Sequence, residues 1–260
     1  MKLQNRRGLF RSALWLLALV LLLSSCSHGV SPRVPDLRRS SRVKADYGVD
    51  EKGRPSYPGA VRGVDVSNHQ GEIDWARVKA DGIDFAILRI GFRGNTQGAL
   101  NLDESFARNY VQAREAGLQV GVYFYSQAIS EDEAVQEADW ILKTLDGVPL
   151  ELPVFFDWEE AVQGRTGGKA TSEVGAWALA FCKEITAGGY QAGVYFNQKY
   201  GYSIMRLQNL TDYCFWNAEY ESWQSFGYET QIWQYTGRGE VDGIDIIVDM
   251  NLMYAPEEIE

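Results

Sequence analysis

The chain has 260 residues, 45% of them hydrophobic, and a formal net charge of −10. That is room for one large domain with a short appendage, and apolar mass for a full core. Of 25 Lys and Arg and 35 Asp and Glu, residues 1–57 carry 11 and 4, so 58–260 holds 14 against 31, a net of −17 that repels nucleic-acid phosphates and excludes that class of partner.

The side-chain inventory narrows the chemistry further. Two His, His28 and His69, and three Cys cannot assemble a zinc site of several His or Cys ligands. They also leave a Ser or Cys nucleophile without a convincing His base, since His28 precedes the folded domain. No metal or other cofactor is expected, and any catalysis falls to carboxylates.

In chain order, Arg6, Arg7 and Arg11 precede the apolar run Ala13–Leu23. Eleven residues are short of the ~20 that span a bilayer and fit the h-region of a signal peptide, here residues 1–25. Leu23-Ser24-Ser25-Cys26 follows. It resembles the lipobox of bacterial lipoproteins, which implies cleavage before Cys26, lipidation of its thiol and a membrane anchor outside the cytoplasm. Residues 26–57 have Ser, Pro, Gly and Arg without apolar periodicity, the composition of a disordered linker. The domain is then 58–260.

Within it, eight strand patterns stand out: 62–67, 85–92, 120–126, 152–159, 192–197, 213–220, 231–236 and 245–252. Most are near-continuously apolar, as strands buried on both faces are. Helical patterns fall between the early ones, at 73–81, 103–116, 130–145 and 172–187, with a shorter one at 198–206. Ser130-Glu-Asp-Glu133 reads as a capping box, and Gly82, Gly117, Gly147 and Gly188 as helix stops. The pattern predicts an α/β fold, a (β/α) barrel that lacks helices in its last third. A doubly wound sheet competes, but no Gly-rich phosphate fingerprint follows the first strand. Cys182 and Cys214 either pair or remain buried free thiols.

In a parallel barrel, reactive groups sit at the C-terminal ends of strands. Those ends carry Asp65, Asp157 and Glu159, Asp242 in the loop after strand seven, and Asp249 in strand eight. Asp157 and Glu159 are two apart, so they share one face of their strand, roughly 6–7 Å from each other, while Phe156 and Trp158 face the other way. One charge of such a pair raises the pKa of its neighbour, which keeps a carboxylic acid protonated for general-acid work. Glycoside hydrolysis needs that acid and a second carboxylate near the anomeric carbon. Aromatic residues near the strand ends (Tyr123, Tyr125, Trp158, Tyr195, Trp216, Tyr220, Trp233 and Tyr235) suit stacking on pyranose rings. His69 is an exposed loop residue or a ligand contact.

Gly63-Val-Asp-Val-Ser-Asn-His-Gln-Gly71, Ile73-Asp-Trp75, Gly121-Val-Tyr-Phe-Tyr-Ser126, Leu152-Pro-Val-Phe-Phe-Asp-Trp-Glu159, Gly193-Val-Tyr195, Trp233-Gln-Tyr235 and Val248-Asp-Met-Asn251 together resemble the glycoside hydrolase family 25 lysozymes of the Chalaropsis type, over residues 61–254. The resemblance implies an irregular barrel of eight strands and about five helices, and β-1,4-N-acetylmuramidase activity on peptidoglycan glycan strands. It puts Glu159 on the family's proton donor, Asp157 on its partner carboxylate and Asp65 on its first-strand aspartate. Asp242 best fits a further aspartate after the Trp-Gln-Tyr block, with Asp249 as the fallback. Strand two departs from the usual pattern at Leu88-Arg-Ile-Gly-Phe-Arg-Gly94.

Two mechanisms remain open. Either a second carboxylate activates water with inversion, or the substrate's 2-acetamido oxygen attacks the anomeric carbon with Asp157 in support. Two other functions compete, a non-catalytic wall-binding scaffold on the same fold and a chitinase-like family 18 enzyme. The latter's longer aspartate run is missing, because Pro153 and Phe155 stand in its place. Nothing in the sequence fixes the oligomeric state.

Overall fold

The computed structural model describes residues 37–255. The signal-peptide reading of 1–25, Cys26 and His28 lie outside the described residues.

Eight strands close a barrel: β1 (Val61–Val66), β2 (Phe85–Arg93), β3 (Gln119–Ser126), β4 (Val154–Trp158), β5 (Ala192–Asn197), β6 (Cys214–Ala218), β7 (Ile232–Gly239) and β8 (Val248–Met253). Neighbours from β1 to β7 run parallel, whereas β8 is antiparallel to both β7 and β1. Five helices accompany them: α1 (Trp75–Ala80), α2 (Phe106–Glu115), α3 (Glu131–Leu145), α4 (Glu173–Ala187) and α5 (Gln198–Ser203). All eight strands and five helices fall where the apolar patterns predict them, and the last three strands indeed lack intervening helices. An unforeseen short edge strand, Leu100–Leu102, pairs antiparallel with the end of β2.

Strand parity divides the core. Val64, Val66, Phe124, Phe156, Trp158 and Trp233 face outward into the layer beneath the helices. Phe85, Ile87, Leu152, Phe155, Trp216 and Ile232 fill the barrel interior. Gly63 faces inward on β1, where an added Cβ would come within 2.3 Å of the Phe85 ring, so glycine there admits a phenyl group into the centre. Caps follow the expected chemistry with two differences, the first being that the Glu133 carboxylate returns to the Ile129 N–H, not to Ser130, so the capping box is half formed. Ser130 accepts from the Glu133 N–H at 3.2 Å, but the turn after α4 is made by Gly189 (φ +89°), not Gly188. Gly188 instead lies against Leu142, which leaves no room for a side chain.

Residues 37–57 depart from the linker expectation. Gly48–Val49 and Pro55–Ser56 form a small antiparallel ribbon, and the segment lies over the outer face of β7 and β8, where helices are missing. Tyr47 packs edge-on to Trp233 with centroids 5.4 Å apart, and its hydroxyl meets that of Tyr254 at 2.8 Å. Arg42 stacks 3.7 Å over the Tyr254 ring, and Tyr57 adds an edge contact at 5.2 Å. Arg54 bonds Asp50 and Asp81 at 2.8 and 2.9 Å. The folded domain therefore starts by residue 37, and the segment serves as a strap in place of the absent helices. Cys182 and Cys214 are both free thiols.

Candidate active site

The end of the barrel where the seven parallel strands finish, its mouth, gathers the carboxylates. Asp65 points inward near the end of β1, and Asp249 near the start of β8 is its direct partner across the antiparallel pairing. Asp157 points inward from the end of β4, and Glu159 follows as the first residue beyond the strand, open to solvent. Asp157 is buried, and its Oδ1 lacks a hydrogen-bond partner among the described residues.

Beneath them lies an amide layer. Gln234 Nε2 and Asn251 Nδ2 donate to Asp65 Oδ1 at 3.0 and 2.7 Å. Tyr195 and Tyr220 hydroxyls both donate to Gln234 Oε1 at 2.9 Å, and Trp216 Nε1 donates to Asn251 Oδ1 at 2.8 Å. Because the amide oxygens are taken by these donors, the amide nitrogens must face Asp65. The aspartate is thus fixed by two amides that three aromatic residues orient.

One cation answers the acids. Arg89 faces inward on β2 in step with Phe85 and Ile87, donating through Nε to Asp103 at 2.7 Å and through Nη2 to Asn68 at 2.6 Å. Its charge partly offsets that of Asp157.

Every carboxyl of the set titrates above its ordinary value. Burial is the largest cause for Asp65, followed by the charge of Asp249. For Asp157 it is burial, then Glu159, then Asp65. For Glu159 burial of the carboxyl comes first, although the residue as a whole is exposed, and the Asp249 charge second. Burial also raises Asp249, against a hydrogen bond with Asp65 that lowers it. Carboxyls that interact this closely titrate as a set and hold their protons to higher pH than free ones do.

The structure sorts the expected site residues. Asp65, Asp157 and Glu159 come together, but Asp242 does not: it is half exposed and ion-paired with Arg77 of α1. Asp249 takes its place, because antiparallel β8 brings its beginning, not its end, to the mouth. Tyr123, Tyr125 and Tyr195 face inward, where burial first and the nearby carboxylates second, Asp157 among them, raise their pKa. Trp216 also faces inward but is fully buried below the amide layer. Three aromatic expectations are corrected by parity. Trp158 points outward and donates to the Ala128 carbonyl at 2.9 Å; Trp233 points outward and donates to the Glu219 carbonyl at 2.7 Å. Tyr235 lies on the outer face, 3.2 Å from Arg62 Nε. His69 is exposed, in the single 3-10 turn Asn68–Gln70 that follows β1.

Arg89, Gln234 and Asn251 are site residues that motif matching did not mark as such. The parity of their strands was the available signal. Among the described residues, no His, Cys, Asp or Glu cluster is suited to hold a metal ion.

Set against known proteins, the profile described as Glycosyl hydrolases family 25 matches residues 64–244. The protein YegX of Escherichia coli O157:H7 is 31% identical over 202 residues, 76% of this chain and 71% of its own. Lysozyme M1 of Streptomyces globisporus is 28% identical over 226 residues, 81% and 74% of the two chains. Among solved structures, the bacterial lysozyme from Streptomyces coelicolor has a TM-score of 0.61 and 25% identity, covering 75% of this chain and 92% of that one. The autolysin LytC of Streptococcus pneumoniae, solved with a synthetic peptidoglycan ligand, has a TM-score of 0.68 and 22% identity over 84% of this chain. This chain spans about half of LytC, 52%.

Proposed function

The chain belongs to glycosyl hydrolase family 25, and from that premise we propose that it is an N-acetylmuramidase, cutting the β-1,4 bond between N-acetylmuramic acid and N-acetylglucosamine in peptidoglycan. The lysozyme names of its relatives support the substrate. The observation that carries the chemistry is the Asp157–Glu159 pair: one buried carboxyl with an unpartnered oxygen, next to one carboxyl at the open mouth.

In this reading Glu159 is the general acid. Its raised pKa keeps a proton available for the glycosidic oxygen as the bond to the leaving sugar breaks. The 2-acetamido oxygen of the sugar attacks the anomeric carbon, forming a cyclic oxazolinium ion. Asp157 Oδ1 accepts the acetamido N–H, which supplies the missing donor and favours the charged form of Asp157. Water then opens the ring, giving its proton to the Glu159 carboxylate. Asp249 is the other base to consider for direct inversion, but its position directly opposite Asp65 engages it with that carboxyl. The inward tyrosines offer ring faces to the sugars.

The sequence further supports an extracytoplasmic enzyme, anchored to the bacterial membrane through lipidated Cys26. The deciding measurement is digestion of purified peptidoglycan by the full chain, with reducing ends identified by mass spectrometry. N-acetylmuramic acid ends are expected. N-acetylglucosamine ends would make it a glucosaminidase instead, and binding without release would favour the scaffold.

A further inference from the structure

Glu159 is the first residue past β4, so the sheet that fixes Asp157 no longer holds its backbone. A general acid has to be held to within a fraction of an ångström of its working position. Two fully buried polar side chains from flanking loops meet its main chain: Gln127, directly after β3, and Thr166, between β4 and α4. Gln127 Nε2 donates to the Glu159 carbonyl at 2.7 Å and to that of Ser126 at 3.1 Å. Thr166 Oγ1 donates to Gln127 Oε1 at 2.9 Å, accepts from the Ala161 N–H at 2.8 Å, and stands 3.3 Å from the Glu159 carbonyl.

Every polar atom of the Gln127 amide is therefore engaged, and its orientation is fixed. Both loops are braced from behind. Arg165 Nη2 donates to Glu133 Oε1 at 2.6 Å, and the Ile129 N–H donates to Glu133 Oε2 at 3.0 Å. A buried amide and hydroxyl cost free energy that apolar residues of the same shape would avoid. Their presence behind the acid points to geometry instead of stability.

We infer that Gln127 and Thr166 are positioning residues for the general acid, a clamp on the Glu159 main chain that sets where its carboxyl stands. The inference rests on Glu159 being the proton donor. The clamp touches neither sugar nor reacting atoms, so it acts on the chemical step and leaves substrate affinity alone.

The test uses Thr166→Val, Thr166→Ser, Gln127→Met and the Val/Met double variant in the full chain, assayed on soluble peptidoglycan fragments. Losing one clamp bond is expected to lower kcat about tenfold with KM within about twofold. Thr166→Ser, which keeps the hydroxyl, recovers most of the rate. The double variant is expected to lie within about threefold of the worse single one, because both act on one carbonyl. The alkaline limb of the kcat profile moves, since the position of the carboxyl relative to Asp157 and Asp249 sets its pKa. In a Glu159→Gln background, Thr166→Val leaves the residual rate unchanged. Normal kcat and pH profile in Thr166→Val overturn the inference, as does a loss that merely tracks the folded fraction by circular dichroism. An equal loss in the Glu159→Gln background also overturns it, while leaving the general acid standing. Full activity of Glu159→Gln itself overturns the acid assignment and the clamp with it.

Discussion

Asp249 stands directly opposite Asp65 in the antiparallel register of β8 and β1, and burial first, then the Asp249 charge, holds the pKa of Asp65 well above its ordinary value. Asp65 Oδ1 also accepts from Gln234 and Asn251, which lowers its pKa in turn. After burial, it is the Asp249 charge that raises the pKa of Glu159.

This separates two aspartates that sequence alone leaves side by side. Asp249→Asn is expected to reduce kcat by at least about tenfold, because it removes a charge that keeps Glu159 protonated. Asp242→Asn breaks an exposed ion pair with Arg77, worth no more than about 1 kcal/mol, and should leave turnover intact. Parallel rate and melting measurements decide it, and a reversed order would put Asp242 back in the site.

Glu159→Gln should lower turnover by roughly 10²–10⁴, the range for loss of a general acid, with the fold unchanged. Asp157→Asn should also be strongly impaired. A thiazoline mimic of the cyclised acetamido intermediate should inhibit the wild type and bind much more weakly to the Asp157 variant. Indifference of the wild type to that mimic would instead favour direct inversion.

The pH dependence has a defined sign. Asp65, Asp157, Glu159 and Asp249 all have folded pKa values above their ordinary ones, so the folded state binds protons more tightly than the unfolded. The stability this contributes is complete below the ordinary values, 3.8 for Asp and 4.5 for Glu, and is lost as pH rises through the raised ones. Asp65→Asn and Asp157→Asn should therefore raise the melting temperature near neutral pH and change it little at about pH 4. The alkaline limb of kcat/KM should lie above 4.5, the ordinary value for Glu159. Calorimetry across the pH range and a rate profile read both effects.

The strap predicts where the domain can be cut. A chain beginning at residue 37 should fold, whereas one beginning at 58 bares Trp233, Tyr235 and Tyr254 and should aggregate or melt early. Tyr47→Ala, which removes the contacts to Trp233 and Tyr254, is expected to cost about 1–3 kcal/mol in denaturant unfolding.

For the anchor, Cys26→Ala is expected to release the protein from the membrane fraction of the producing cells. Retention of the variant in that fraction would exclude lipidation as the tether.

Barrel strands and helices are legible in the sequence because burial on both faces makes the strands apolar runs, and helix ends carry their caps. The pairing of Asp157 with Glu159 is legible for the same reason, as period two needs no tertiary information. What escaped was direction and neighbourhood. Asp249 was hidden by the reversal of β8, which no local pattern announces. Trp158 lies between two inward acids and so must face out, and Trp233 and Tyr235 flank inward Gln234 in the same way; aromatic type drew attention where parity decided. The strap was unreadable because its strands are two residues long and its contacts come from tyrosines and arginines scattered through a polar stretch.

That strap also fixes where the polypeptide meets the barrel. At its start, the Arg38 carbonyl accepts from the Glu229 N–H, and Leu37 and Arg38 line a hollow with Tyr213 and Gln231, where β6 and β7 begin. The polypeptide thus joins the barrel at the floor, opposite the carboxylates. Ring and ion contacts at Arg42, Tyr47, Arg54 and Tyr57 then fasten it along the outer wall. The carboxylates at the mouth stand at the far end of the barrel from this seam.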